Sequence, residues 1–158
     1  MNLRHMLKAT LLLALGLILH TITPSFLGMM KPDFMLCMMF ISLYDTKKAP
    51  EALIIIVISG LLSGITSQMP YGLLSNFIDK LLTGFIIFKA AKKYRNKVVL
   101  TFIGTLISGI IFLSFSMILV PLDIRLVATL MGVHVFPAAI VNTSFHYFLH
   151  SRMKKLQY

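Results

Sequence analysis

Long apolar runs, broken by short clusters of Lys, Arg, Pro and Gly, divide the chain into six hydrophobic segments. The pattern predicts helices over about Asn2–His20, Pro32–Tyr44, Pro50–Ser67, Leu73–Lys92, Lys97–Val120 and Ile124–His150. Pro24 and Gly28 mark an irregular piece between the first two, and Pro70-Tyr71-Gly72 marks a turn. Pro137 falls inside the last segment and predicts a kink there. A full membrane span needs about 20 apolar residues, so the second segment is short for one. Gly60 with Gly64, and Gly104 with Ser108, place small residues four apart, the spacing that lets helix backbones approach closely in lipid.

Composition turns these segments into membrane spans. Of 158 residues 58% are hydrophobic and only 13% charged, about half the share of a soluble domain. Mean hydropathy is +0.88. The expected fold is an all-α integral membrane protein: one domain over residues 1–158, a compact bundle of six transmembrane helices. The first segment starts basic and is apolar from Leu11 to Leu19, but no small-x-small cleavage site follows, so it is expected to remain as the first helix.

Net charge is +10, and its distribution predicts orientation. With a cytoplasmic N-terminus, twelve of the fifteen Lys and Arg fall at cytoplasmic ends: Arg4, Lys8, Lys47, Lys48, Lys89, Lys92, Lys93, Arg95, Lys97, Arg152, Lys154 and Lys155. Lys31, Lys80 and Arg125 fall on the other side. Both termini are then cytoplasmic in a bacterial plasma membrane. The basic ends contact anionic membrane lipid, and no nucleic-acid motif accompanies them.

Against this background a few polar residues stand out. Lys31 and Asp33 interrupt apolar sequence before the second helix. Asn76, Asp79 and Lys80 lie within the fourth, and His134 and Asn142 within the last. A charge at membrane depth costs at least about 2.5–3.5 kcal/mol, so such residues have a partner or a task. Under the predicted topology all fall in the outward half. Asn76, Asp79 and Lys80 share one helix face at i, i+3 and i+4. Adjacent Asp79 and Lys80 are not expected to face each other, so their partners are sought on other helices or on a ligand. The bland alternative is a set of internal struts, Asp79 with Lys31 and Asp33 with Lys80. Met30, Phe34 and Phe77 flank these positions and suit the walls of a site for a flat ring.

Other chemistry is excluded by absence. One cysteine, Cys37, allows neither a disulfide within the chain nor a Cys-based metal site. There is no phosphate loop and no HExxH, and five acidic residues in all leave no paired carboxylates on one helix face. The chain is read as a non-enzyme without cofactor or metal.

The run Gly28-Met29-Met30-Lys31-Pro32-Asp33-Phe34-Met35-Leu36 resembles the TrpP tryptophan transporter family. So do Asn76-Phe77-Ile78-Asp79-Lys80, Phe136-Pro137-Ala138 and Val141-Asn142-Thr143. That family resembles the substrate-capture (S) components of energy-coupling-factor transporters. The resemblance implies a site for tryptophan, or a related aromatic amino acid, near the outer face, an EcfT-like transmembrane subunit and two cytoplasmic ATPases. It implies docking on that subunit through helix 1, where Thr10 and Ala14 keep small-xxx-small spacing in place of Ala-xxx-Ala. For tryptophan, Lys31 or Lys80 would take the carboxylate, Asp33 or Asp79 the ammonium, and Asn76 or Asn142 the indole N–H. Met30, Phe34 and Phe77 would wall the ring. Two other readings remain open: an MreD-like structural protein of a wall-synthesis complex, and a stand-alone secondary transporter using Asp79 as a relay.

Overall fold

The structure, a computed structural model, describes residues 3–23, 32–69, 71–121 and 123–155. Every regular element among them is helical: α1 (Leu3–Ile22), α2 (Phe34–Tyr44), α3 (Ala49–Ile65), α4 (Gly72–Lys93), α5 (Lys97–Leu119), α6 (Ile124–Leu130) and α7 (Phe136–Lys155). A π-helical turn, Met131–Val135, joins α6 to α7, so the last two form one continuous rod.

The turn lies just before Pro137. A proline has no N–H for the carbonyl four residues back. The chain widens here instead: the Phe136 N–H bonds the Met131 carbonyl, five residues back. The expected kink is thus a π-bulge, a feature common at functional sites.

Three of the described helices are long and apolar enough to cross a membrane: Leu3–Ile22, Lys97–Leu119 and the rod Ile124–Leu149. Helix α4 has the length, 22 residues, but carries Asp79, Lys80 and a lysine-rich end. Helix α2 has 11 residues, a rise of about 16 Å against a hydrocarbon core of about 30 Å. It is apolar all round, and Met35 to Leu43 are all buried. A helix without a polar face belongs in an interior, and α2 contacts α1, α3, α4, α5 and α7. The second hydrophobic segment is therefore the packed centre of the bundle.

The other helices reverse the pattern of a water-soluble bundle. Large apolar side chains such as Leu7, Leu11, Ile58, Leu82, Ile110 and Ile140 are exposed, while Ser59, Ser63, Ser75, Thr83, Thr105 and Ser108 are buried. Small residues set the spacing. A Cβ on Gly64 would lie 2.9 Å from the Leu73 backbone, and one on Gly109 would lie 2.2 Å from Val135 Cγ1. Polar bonds tie the same surfaces. Ser116 Oγ donates to Ser75 Oγ at 3.1 Å, and Thr101 Oγ1 lies 2.8 Å from Tyr44 Oη and 2.7 Å from His146 Nδ1. These links join α4 to α5, and α2 to α5 and α7.

Candidate functional site

Helix α4 places Asn76, Asp79 and Lys80 on one face, toward the bundle interior, with Asp79 and Lys80 each 1% exposed. The Lys80 ammonium is the hub. It lies 2.6 Å from Asp33 Oδ2 and 2.8 Å from Asp79 Oδ2, and donates to Asn76 Oδ1 at 3.5 Å. Its three N–H groups are thereby all directed at acceptors. The Asp33–Lys80 pair is one of the two that the alternative of internal struts proposed. The expectation that Asp79 and Lys80 would not meet is corrected, because the four-carbon lysine stem curls back to its neighbour's carboxylate. Lys31, the other partner considered for Asp79, lies outside the described residues, as does Met30.

The two carboxylates differ in what they have left to offer. Asp79 Oδ2 also accepts from Ser108 Oγ at 2.7 Å, and Oδ1 accepts from Thr83 Oγ1 at 2.9 Å. Asp33 caps the N-terminus of α2, its Oδ1 accepting from the Leu36 N–H at 2.9 Å. His20 Nδ1 lies 3.7 Å from the same oxygen. The Asp33 side chain is 20% exposed, the most open of the three charged groups. Asn76 Nδ2 donates to the Gly72 carbonyl at 2.8 Å.

These groups border a cavity of about 700 Å³ of atom-free space, part of it open to solvent. It sits at one end of the bundle, where α1 and α3 end, α2 and α4 begin, and α5 ends. Asp33, Asn76, Asp79, Lys80 and His134 all line it, with Leu36, Phe112, Val135 and Ala138 as apolar wall. His134 enters from the π-helical turn and is 8% exposed.

Other candidates lie elsewhere. Phe34 packs edge-to-face on Phe145, centroids 5.2 Å apart. Phe77 turns toward α3, against Gly60. Neither borders the cavity. Asn142 is fully buried one turn beyond Ala138, and among the described residues neither its amide oxygen nor its nitrogen has a hydrogen-bond partner. Thr10 and Ala14 are exposed on α1 beside exposed Leu7, Leu11 and Ile18. Sequence reading missed His20, Ser108 and Gln68 as cavity residues. Ser108 had been read as a packing residue; its place opposite a buried aspartate depends on the pairing of α4 with α5. His20 ends α1 and carries no local sign of facing a cavity.

An apolar exterior around a buried charge cluster is the build of a membrane protein. The chain belongs to the tryptophan transporter TrpP family, whose profile matches residues 2–157. It is 38% identical over 149 residues to a probable tryptophan transport protein of Bacillus subtilis, covering 90% of this chain and 86% of the relative. It is 36% identical to a protein of the same description in Clostridium acetobutylicum, with the same coverage. A third, in Clostridium perfringens, is 31% identical over 163 residues, covering 90% and 89%. No solved structure matches.

Proposed function

We propose that this chain captures tryptophan at the membrane for uptake, and that the cavity around Asp33, Asn76 and Lys80 is its binding site. The chain then acts as a single transmembrane domain of six segments, with both termini cytoplasmic. The cavity end faces outward, because the Lys- and Arg-rich connections lie at the opposite end. Family membership supports the substrate, and the embedded charge cluster is the observation that carries the site.

Charge balance assigns the roles. Asp33, Asp79 and Lys80 together carry one net negative charge, so the complementary part of a zwitterion is its ammonium. Asp79 is saturated by Lys80, Ser108 and Thr83 and acts as a strut. Asp33 is more open and receives the ammonium. Lys80 has committed its donors and positions Asp33, which leaves the ligand carboxylate to Lys31. Asn76 Oδ1, held among the described residues by the long Lys80 contact alone, accepts the indole N–H. Asn142 is a second acceptor for that N–H, reached if the ring penetrates past Ala138.

The comparison of three ligands tests this. Asp33→Asn should weaken tryptophan and tryptamine, which both carry the ammonium, by about 30-fold or more. Indole-3-propionate, which lacks it, should bind parent and variant alike. Equal losses for all three would remove Asp33 from the ammonium site. Energy coupling follows the S-component pattern, through an EcfT-like subunit docked on the Thr10–Ala14 face of α1 and two ATPases. Co-purification of those partners, lost on Ala14→Leu, is the matching test.

A further inference from the structure

A second concavity lies at the other end of the bundle, between the C-terminal half of α4 and the N-terminal half of α5. It encloses about 800 Å³ of atom-free space, part of it open outward. Its walls are aliphatic: Ile86, Ile87, Ala90, Val99, Leu100 and Ile103. It reaches the connection Tyr94-Arg95-Asn96. From Asn96 to Ile107, the far end of the lining, α5 rises about 16 Å, close to the hydrocarbon depth of one leaflet.

The Tyr94-Arg95-Asn96 end is strongly basic, and among the described residues Lys92, Lys93, Arg95 and Lys97 make no ion pair. Lys97 caps α4, donating to the carbonyls of Ala91 and of Tyr94, the latter at 2.8 Å. The Lys92 ammonium sits 4.1 Å over the Phe88 ring, and the Lys93 ammonium 5.9 Å over the Tyr94 ring. Arg95 is exposed and, among the described residues, has no hydrogen bond or ion pair. The acidic side chains near this end are engaged elsewhere, Asp45 with Lys8 at 2.5 Å and Glu51 with His5 at 3.8 Å. Among the described residues no carboxylate at this end pairs with Arg95.

We infer that the α4–α5 groove is a binding site for one anionic phospholipid, an acyl chain lying along Ile103 and Ile86 and the headgroup phosphate on Arg95. A free anion would have no use for an aliphatic trough one leaflet deep, and a zwitterionic lipid would leave Arg95 and its lysine neighbours without net compensation. Guanidinium suits the phosphate because its fork bonds two oxygens at once. The site depends on the chain lying in a membrane and is independent of the proposed substrate.

Native mass spectrometry of the purified protein, offered equal phosphatidylglycerol and phosphatidylcholine, tests the inference. One bound phosphatidylglycerol should be retained in preference to phosphatidylcholine. Arg95→Gln should reduce that preference about fivefold, whereas Arg95→Lys keeps most of it. Ile103→Trp, which fills the trough without touching charge, should lower retention of the lipid itself. A melting curve confirms that each variant is folded, and Ile103→Trp carries the test if Arg95→Gln is not. Retention of both lipids equally, or of neither, overturns the inference. So does a phosphatidylglycerol preference that survives both Arg95→Gln and Ile103→Trp.

Discussion

Lys80→Met removes the hub of the buried charge cluster and nearly preserves the length of the side chain. The lysine is 1% exposed, with carboxylate oxygens at 2.6 and 2.8 Å from its nitrogen. Its loss leaves Asp33 and Asp79 as neighbouring carboxylates with no cation between them. Breaking a buried pair by removing one partner costs about 3–5 kcal/mol. For a chain of this size that is a fall in melting temperature of roughly 6–20 °C. The reasoning makes a second, sharper demand. Adding Asp33→Asn to Lys80→Met removes one of the stranded charges, while Asp79 keeps its bonds from Ser108 and Thr83. The double variant should therefore melt above the single one, although it carries more substitutions. Thermal unfolding in one detergent, followed by circular dichroism, measures both. A single variant that melts with the parent, or a double variant that melts below the single, would refute the charge-cluster account.

Three further outcomes follow from the same geometry. Asn142→Leu replaces a buried amide that has no partner among the described residues, so stability should rise by about 1–3 kcal/mol in the same melts; if Asn142 takes the indole N–H, tryptophan affinity falls at the same time. Gly109→Ala drives a methyl into Val135 and should cost about 1–3 kcal/mol, with Val135→Ala restoring much of the loss; an unaffected melt would mean that the π-helical turn yields freely. Tyr71 holds a left-handed backbone at φ 55°, so Tyr71→Gly should stabilise by about 0.5–1 kcal/mol once glycine's extra chain entropy is offset; a lower melting temperature would show that the tyrosine ring matters more than its backbone.

Much of the site was legible because membrane burial makes a charge conspicuous. Asn76, Asp79 and Lys80 stand out against apolar neighbours, and their spacing alone puts them on one face. The Asp33–Lys80 contact was one of the two pairings the strut alternative offered. What was not legible depended on which helices pair. Ser108 and His20 carry no local sign of facing a carboxylate. Phe34 and Phe77 flank the right residues in sequence, yet point to Phe145 and to Gly60. The fold divides in the same way. Helix limits came within a few residues, since Pro, Gly and basic clusters bound them. The central place of α2 did not, because an all-apolar stretch reads alike whether lipid or protein surrounds it. The π-helical turn had a signal in Pro137, which announces a defect in the helix without saying which kind.

The central claim is that the cavity binds tryptophan, and the chain's lack of tryptophan makes the ligand its own reporter. Purified protein is titrated with tryptophan while the indole fluorescence is followed at an excitation that tyrosine does not absorb. The account predicts a saturable change in emission that is strongly weakened by Asp33→Asn. A strictly linear signal from the folded parent protein, identical in the Asp33→Asn variant, would contradict it.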